Sequence, residues 1–334
     1  VTVNDGRPWP VLAALRFILS LVVVSGHLTL FIRPTHPLCV LGKLGGFPAV
    51  LGFLFVSGYS IAHSLDREPR GFYQRRVIRI YPLYLASIAV SLLPYFASGW
   101  QTIYGRSERF FCPTPAVVLQ NVLMLQTYSC QPIESNPLVW TLAVEFSLYL
   151  AAPLLRRAGT RVTLGLAIAS AAAFASYAQL KLDYFAHLRH GLPIAFLAWA
   201  WLTGFVYRPH RANRIATALM ICLPAALVVR TNIYSGTLGV VTVAITAMTV
   251  AAAPRLPVPR GAQKPMRLAG DLSYPLYLFH LPAFLLCFCV DLFNPYALVA
   301  LAVAVSAVAL AADIAIRRLL VIARTPKRLI PTPG

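Results

Sequence analysis

The chain has 334 residues, 58% hydrophobic and 12% charged, with a mean hydropathy of +0.70 and a formal net charge of +19. A soluble domain carries roughly twice that charged fraction, so lipid rather than water must be the solvent for much of this surface. The positive excess does not point to nucleic acid, because the basic residues lie in short clusters between apolar runs, the pattern of topology signals facing anionic lipid.

Apolar runs of about 17–22 residues are expected to cross a bilayer as helices. In chain order they are 11–32, 47–64, 80–98, 138–155, 162–180, 192–207, 215–231, 236–253, 272–290 and 296–316. The segment 116–126 is apolar but too short to span, and is expected to lie along the outer interface or re-enter. The reading is an all-α polytopic integral membrane protein of about ten transmembrane helices.

With the N-terminus inside, the cytoplasmic segments hold 21 of the 29 Lys and Arg residues and the outer segments hold 7, with Arg16 inside the first span. This bias favours both termini inside and requires an even helix count. The first run is not expected to be a cleaved signal: it is long, contains Arg16, and shows no small-residue cleavage site after His27. One membrane-embedded domain is expected over 1–334, ending in a basic cytoplasmic tail at 317–334.

Of the six cysteines, Cys222, Cys287 and Cys289 fall inside expected helices and read as packing residues. Cys39, Cys112 and Cys130 fall outside, where an oxidising compartment permits a Cys112–Cys130 bridge. No His, Cys, Asp or Glu spacing resembles a metal site.

Ionisable groups at membrane depth are costly and persist where they are paired or functional. Four stand out: Arg16 and His27 in the first span, Glu145 in the fourth and His280 in the ninth. Arg16 and His27 are about 16 Å apart along the helix axis and only roughly 20° apart around it, so they form one polar stripe. Alone, either reads as a snorkelling arginine or a satisfied core histidine; together they point to function. Glu145 can pair a buried cation, and His280 can bridge two helices. Arg75, Arg76 and Arg79 share a face at the start of the third span. They read either as positive-inside anchors or as a phosphate clamp, since guanidinium forks grip phosphate bidentately. His36, His63, His187, His190 and His210 lie in loops or near helix ends and are expected in solvated or interfacial roles.

Several stretches together resemble one family: LAALRFILSLVVVSGHL with Arg16 and His27, GFLFVSGYSIAHS (52–64), RRVIRIYPLY (75–84), VWTLAVEFSLYL (139–150) and SYPLYLFHLP (273–282). In order and spacing they resemble the acyltransferase-3 family of membrane acyltransferases. The likeness covers the first four spans and the ninth; spans five to eight agree only in hydropathy. The family's usual serine after the tryptophan is Thr141 here, which keeps a hydroxyl.

The resemblance implies transfer of an acyl group, commonly acetyl from acetyl-CoA, onto a hydroxyl of an extracytoplasmic carbohydrate such as O-antigen or exopolysaccharide, with no metal. The location implied is the inner membrane. Some members carry an added extracytoplasmic hydrolase-like domain, which is not expected here. On this reading Arg75, Arg76 and Arg79 hold the phosphates of acyl-CoA, Arg16 stabilises the donor further in, and His27 is general base or acyl carrier. Glu145 orients His27 or binds acceptor hydroxyls, while Trp140 and His280 contact the acceptor. Competing readings are acylation of a small secondary metabolite such as a macrolide, a non-catalytic glycan transporter, and a glycan polymerase or ligase. No inverted repeat supports the transporter, and no large outer loop supports the polymerase.

Overall fold

The computed structural model describes residues 8–104, 108–180, 185–231 and 236–324. Its helices are α1 (Pro8–Leu28), α2 (Gly46–Arg67), α3 (Phe72–Ala97), α4 (Pro115–Val122), α5 (Val139–Leu180), α6 (Leu192–His210), α7 (Arg214–Thr231), α8 (Gly236–Ala252), α9 (Arg260–Cys289) and α10 (Pro295–Arg324). Short 3-10 turns and one small antiparallel ribbon, β1 (Ile103–Tyr104) with β2 (Arg109–Phe110), complete the named elements among the described residues. Each expected span falls on a helix. Seven of the described helices are long and apolar enough to cross a membrane, and Leu238–Ala252 is a shorter apolar helix. The chain is an all-α, multi-pass membrane protein.

Where boundaries differ from expectation, the reason is local. The fourth and fifth expected spans are two arms of α5 that meet at Gly159. Its φ of 85° lies in the left-handed region, where a β-carbon would be strained, so glycine sets the bend. Helix α9 starts at Arg260 rather than 272, because its first turns, RGAQKPMRLAGD, are helical without being apolar. Helix α10 runs on to Arg324, so the first part of the basic 317–334 segment is helical. Residues 325–334 lie outside the described residues, as do Arg7, Arg106 and Lys181 of the charge count.

Two helices are central. The apolar windows of α2 and α9 are 83% and 72% buried, against 17% for α7 and α10, which therefore present most of their surface to lipid. Helix α1 packs against both central helices. Helices α2 and α6 cross at a pair of glycines: a β-carbon on Gly58 would lie 1.9 Å from the Trp201 carbonyl oxygen, and one on Gly204 would lie 2.1 Å from that of Phe55. Small residues allow this backbone approach, which is how helices associate in lipid.

The short α4 occupies the 116–126 segment and is capped by the Thr114 hydroxyl, which accepts from Val117 N at 3.3 Å. The loop after it is organised around buried Asn121. That side chain donates to the Val117 and Gln131 carbonyls at 2.8 and 3.0 Å and accepts from Gln126 Nε2 at 2.9 Å. The Tyr84 hydroxyl of α3 donates to the Asn121 carbonyl. An irregular segment needs this internal satisfaction of its polar groups, because lipid offers none.

The Cys112–Cys130 bridge is not formed: all six cysteines are free thiols. Cys130 is buried within 3.7 Å of Asn121 Nδ2, and burial pushes its thiol above the ordinary range. Cys222, expected to pack, is instead exposed on α7. Unfolding without reductant followed by maleimide alkylation is expected to label all six positions; a shortfall restored by reductant would establish a bridge.

Candidate active site

A cavity of about 380 Å³ opens among α1, α2, α3, α5 and α9. That is within the usual range for a small-molecule site, roughly 300–1,000 Å³. It brings together Arg16, Arg75, Arg76, Arg79 and Glu145, residues separated by up to 129 positions in the chain. Arg67 and Glu68 line it as well, so five guanidinium groups face two carboxylates. Such a concentration of positive charge beside a membrane interior calls for an anionic occupant.

The arginines are held differently. Arg75 reaches the loop after α2, donating to the Arg70 carbonyl at 2.5 Å and pairing with Glu68 at 3.4 Å. Arg76 donates to Ser64 Oγ at 2.9 Å and has its guanidinium 5.5 Å from the Phe72 ring centroid. The carbonyl of Arg79 accepts from Arg317 Nη2 at 3.0 Å, which ties this turn of α3 to α10. The buried Nε atoms of Arg16 and Arg76 have no hydrogen-bond partner among the described residues. Buried donors are ordinarily satisfied, so two orphans on one cavity wall mark it as a polar surface able to donate.

Glu145 is set by a directional chain. Trp201 Nε1 can only donate, and it does so to Ser57 Oγ at 3.2 Å. Ser57 contacts the Tyr149 hydroxyl at 3.0 Å, and Tyr149 donates to Glu145 Oε1 at 2.5 Å. The chain starts at a pure donor and ends at a carboxylate, so Ser57 must donate to Tyr149. Glu145 therefore belongs to the arginine cavity, within electrostatic reach of Arg16. It does not hydrogen-bond His27.

The partner of His27 is His280. Their Nδ1 and Nε2 atoms are 3.1 Å apart, with ring centroids at 5.3 Å. His280 is fully buried and its Nδ1 lies 2.8 Å from the Leu276 carbonyl, whereas His27 is half-buried. The geometry around His280 follows from its neighbours. Pro282 has no N–H to give the Leu278 carbonyl four residues back. Asn136 Nδ2 donates to that carbonyl instead, at 3.0 Å, and pins the turn of α9 that carries His280.

Neither His27 nor His280 lines the cavity, whose wall comes within one helical turn of His280 at Tyr277. Tyr277, one turn before His280, lines the cavity and has its ring centroid 6.4 Å from that of His280. Its hydroxyl meets Thr141 Oγ1 at 2.9 Å, and Thr141 also donates to the Leu138 carbonyl, so Tyr277 is the donor to Thr141. Trp140 does not reach the cavity. It is 1% exposed and its ring stacks on Phe185, with centroids at 6.5 Å.

One expectation is reversed. His63, expected at an interface, is buried on the cavity wall. Its Nδ1 accepts from buried Arg208 at 2.7 Å, and its ring lies 4.7 Å from that of Trp9. His63 is the last residue but one of the GFLFVSGYSIAHS stretch, and that membership was the available signal; Arg208 is 145 residues away and carried none.

Residues 10–316 match the family model described as an acyltransferase domain. The chain belongs to the acyltransferase-3 family. It is thus a membrane acyltransferase, and the five stretches first noted in its sequence all lie inside the matched region. Among curated proteins, Nodulation protein 10 of Rhizobium leguminosarum bv. viciae is 25% identical over 281 residues, covering 74% of each chain. No solved structure matches this acyltransferase.

Proposed function

We propose that this acyltransferase moves an acyl group, in the first instance acetyl, from cytoplasmic acyl-CoA to a hydroxyl of an extracytoplasmic carbohydrate such as O-antigen or exopolysaccharide. The observation that carries the reading is the arginine-lined cavity ending one helical turn from the His27–His280 pair. The arginine-rich end faces the cytoplasm, as the distribution of Lys and Arg favours, and the bilayer is the inner membrane.

On this reading the single membrane domain has three working parts. Arg75, Arg76 and Arg79 hold the phosphates of the donor at the cavity mouth. Their fixed forks suit phosphate oxygens, and the orphaned Nε of Arg76 gains a partner there. Arg16 contacts the donor further in, steadied by Glu145. His27 takes the hydroxyl proton as the oxygen attacks the thioester carbonyl. The carbon–oxygen bond of the ester forms, the carbon–sulfur bond breaks, and the proton leaves with the CoA thiol. Trp140 acts as wall support behind Thr141 rather than as a sugar platform, and His280 acts on His27 rather than on the acceptor. No step calls for a metal.

The direct test is incubation of the purified protein in proteoliposomes with labelled acetyl-CoA and candidate glycans, alongside mass spectrometry of the host polysaccharide with and without the gene. Label appearing as an ester on a glycan supports the reading; unlabelled glycan from every class would overturn it. In the same assay Arg75→Ala with Arg76→Ala is expected to raise the KM for acyl-CoA by about tenfold or more while kcat at saturating donor falls much less. Uniform binding loss has that signature. An unchanged KM would leave these arginines as topology anchors.

A further inference from the structure

We infer that His280 is a positioning residue: it fixes the tautomer of His27, so that the proton is on His27 Nδ1 and the lone pair is on Nε2. This rests on the reading of His27 as general base and adds the device that keeps it one.

The assignment follows from hydrogen-bond logic along three atoms. The Leu276 carbonyl oxygen can only accept, so His280 Nδ1, 2.8 Å away, carries a proton. Neither histidine hydrogen-bonds a carboxylate among the described residues, and His280 has no exposed surface, so its ring is neutral; His27, in the neutral form that a general base must have, carries one proton. A neutral imidazole with its proton on Nδ1 has a lone pair on Nε2. That lone pair is 3.1 Å from His27 Nδ1, which must then be the donor. The proton of His27 is committed to His280, and its Nε2 is bare. An unconstrained imidazole prefers its proton on Nε2, the arrangement that cannot accept one from a substrate there.

The surrounding structure keeps His280 in this role. Its side chain folds back on the turn of α9 that precedes it, and that turn is held by Asn136 through the carbonyl that Pro282 leaves unpaired. The Phe284 and Tyr277 rings flank the imidazole at 5.7 and 6.4 Å. Of the two residues, His27 is the less completely buried, and it is the one left with a lone pair. A second group that orients a catalytic imidazole and selects its tautomer is a recurrent requirement of proton-transfer sites, and here an imidazole backed by a peptide carbonyl fills it.

Two variants separate positioning from packing. His280→Gln places an amide oxygen near the position of the lost Nε2 and can still accept from His27. His280→Leu cannot. With both proteins folded to the wild-type melting temperature within a few degrees, His280→Leu is expected to lower kcat by about 10²-fold or more, and His280→Gln by no more than about tenfold. The KM for acyl-CoA is expected to stay within about twofold in each. A purely structural role would make the two variants equally affected in melting temperature and would not separate them in kcat.

A readout independent of turnover is solid-state nitrogen-15 NMR of protein labelled at histidine nitrogens in bilayers, with His27 identified by loss of its signals in His27→Asn. The expected wild-type spectrum shows His27 protonated at Nδ1, moving to Nε2 in His280→Leu. His27 protonated at Nε2 in the wild type, or wild-type kcat in His280→Leu, would overturn the inference. If His27→Ala keeps full activity, the base reading itself fails. If His27→Ala is inactive and His280→Leu is not, only the positioning role fails.

Discussion

His27→Ala is expected to lower acyl transfer by about 10² to 10⁴-fold, the range for removal of a general base. An alcohol is a weak nucleophile near neutral pH, and the charge that builds on its oxygen during attack is relieved only if a base takes the proton at the same time. No other imidazole occupies this position: His63 is on the cavity wall at the Arg208 side and His280 is committed at both nitrogens. The alanine variant also strips His280 Nε2 of its donor, and a buried unpaired acceptor costs about 1–3 kcal/mol. His27→Asn separates the two effects. Its amide nitrogen can still donate to His280, while no atom of the side chain is a useful base. Both variants are expected to insert normally, and the asparagine variant to melt close to wild type while remaining as inactive as alanine. Wild-type rates of ester formation on glycan in either would remove His27 from the chemistry.

The parts of this site visible in the sequence share a physical origin. Hydropathy exposes the spans because lipid contact demands long apolar runs, and the same background makes Arg16, His27, Glu145 and His280 conspicuous. The cluster of Arg75, Arg76 and Arg79 was visible as a helix face, but whether it faced lipid headgroups or a cavity was not. That depended on α2 and the residue that follows it, where Ser64 and Glu68 take up Arg76 and Arg75. The pairing of His27 with His280 spans 253 residues and depends on α1 and α9 lying side by side, which no local pattern records. Glu145 illustrates the limit. Its companion Tyr149 was one helical turn away and legible in principle. The choice between His27 and the arginine cavity was settled by Ser57 and Trp201, from two other helices. Helix ends built from polar turns, as at Arg260, escape a hydropathy reading because helicity and apolarity are separate properties.

Gly58→Ala is expected to be the most damaging single methyl in the bundle, and it links the packing of the fold to the site. The added carbon would lie 1.9 Å from the Trp201 carbonyl oxygen, so backbone rather than a pliant side chain obstructs it. Overpacking of a tight core costs about 1–3 kcal/mol, and an obstacle made of main chain belongs at or above the upper end. The strain relaxes most readily by parting α2 from α6. Ser57 and Trp201 are on either side of that crossing, and their hydrogen bond is the first link of the chain that holds Tyr149 and Glu145. Loss of stability should therefore come with loss of transfer even in the molecules that remain folded. Gly204→Ala, which meets the Phe55 carbonyl at 2.1 Å, should behave alike. The control is Gly165→Ala on α5, where an added carbon meets nothing within 4 Å. In a helix that change favours the folded state slightly, by less than about 1 kcal/mol. Melting in detergent, followed by turnover below the melting transition, checks both halves. Wild-type melting of Gly58→Ala would mean that the two backbones are not in contact, and the route by which α6 positions Glu145 would fall with it.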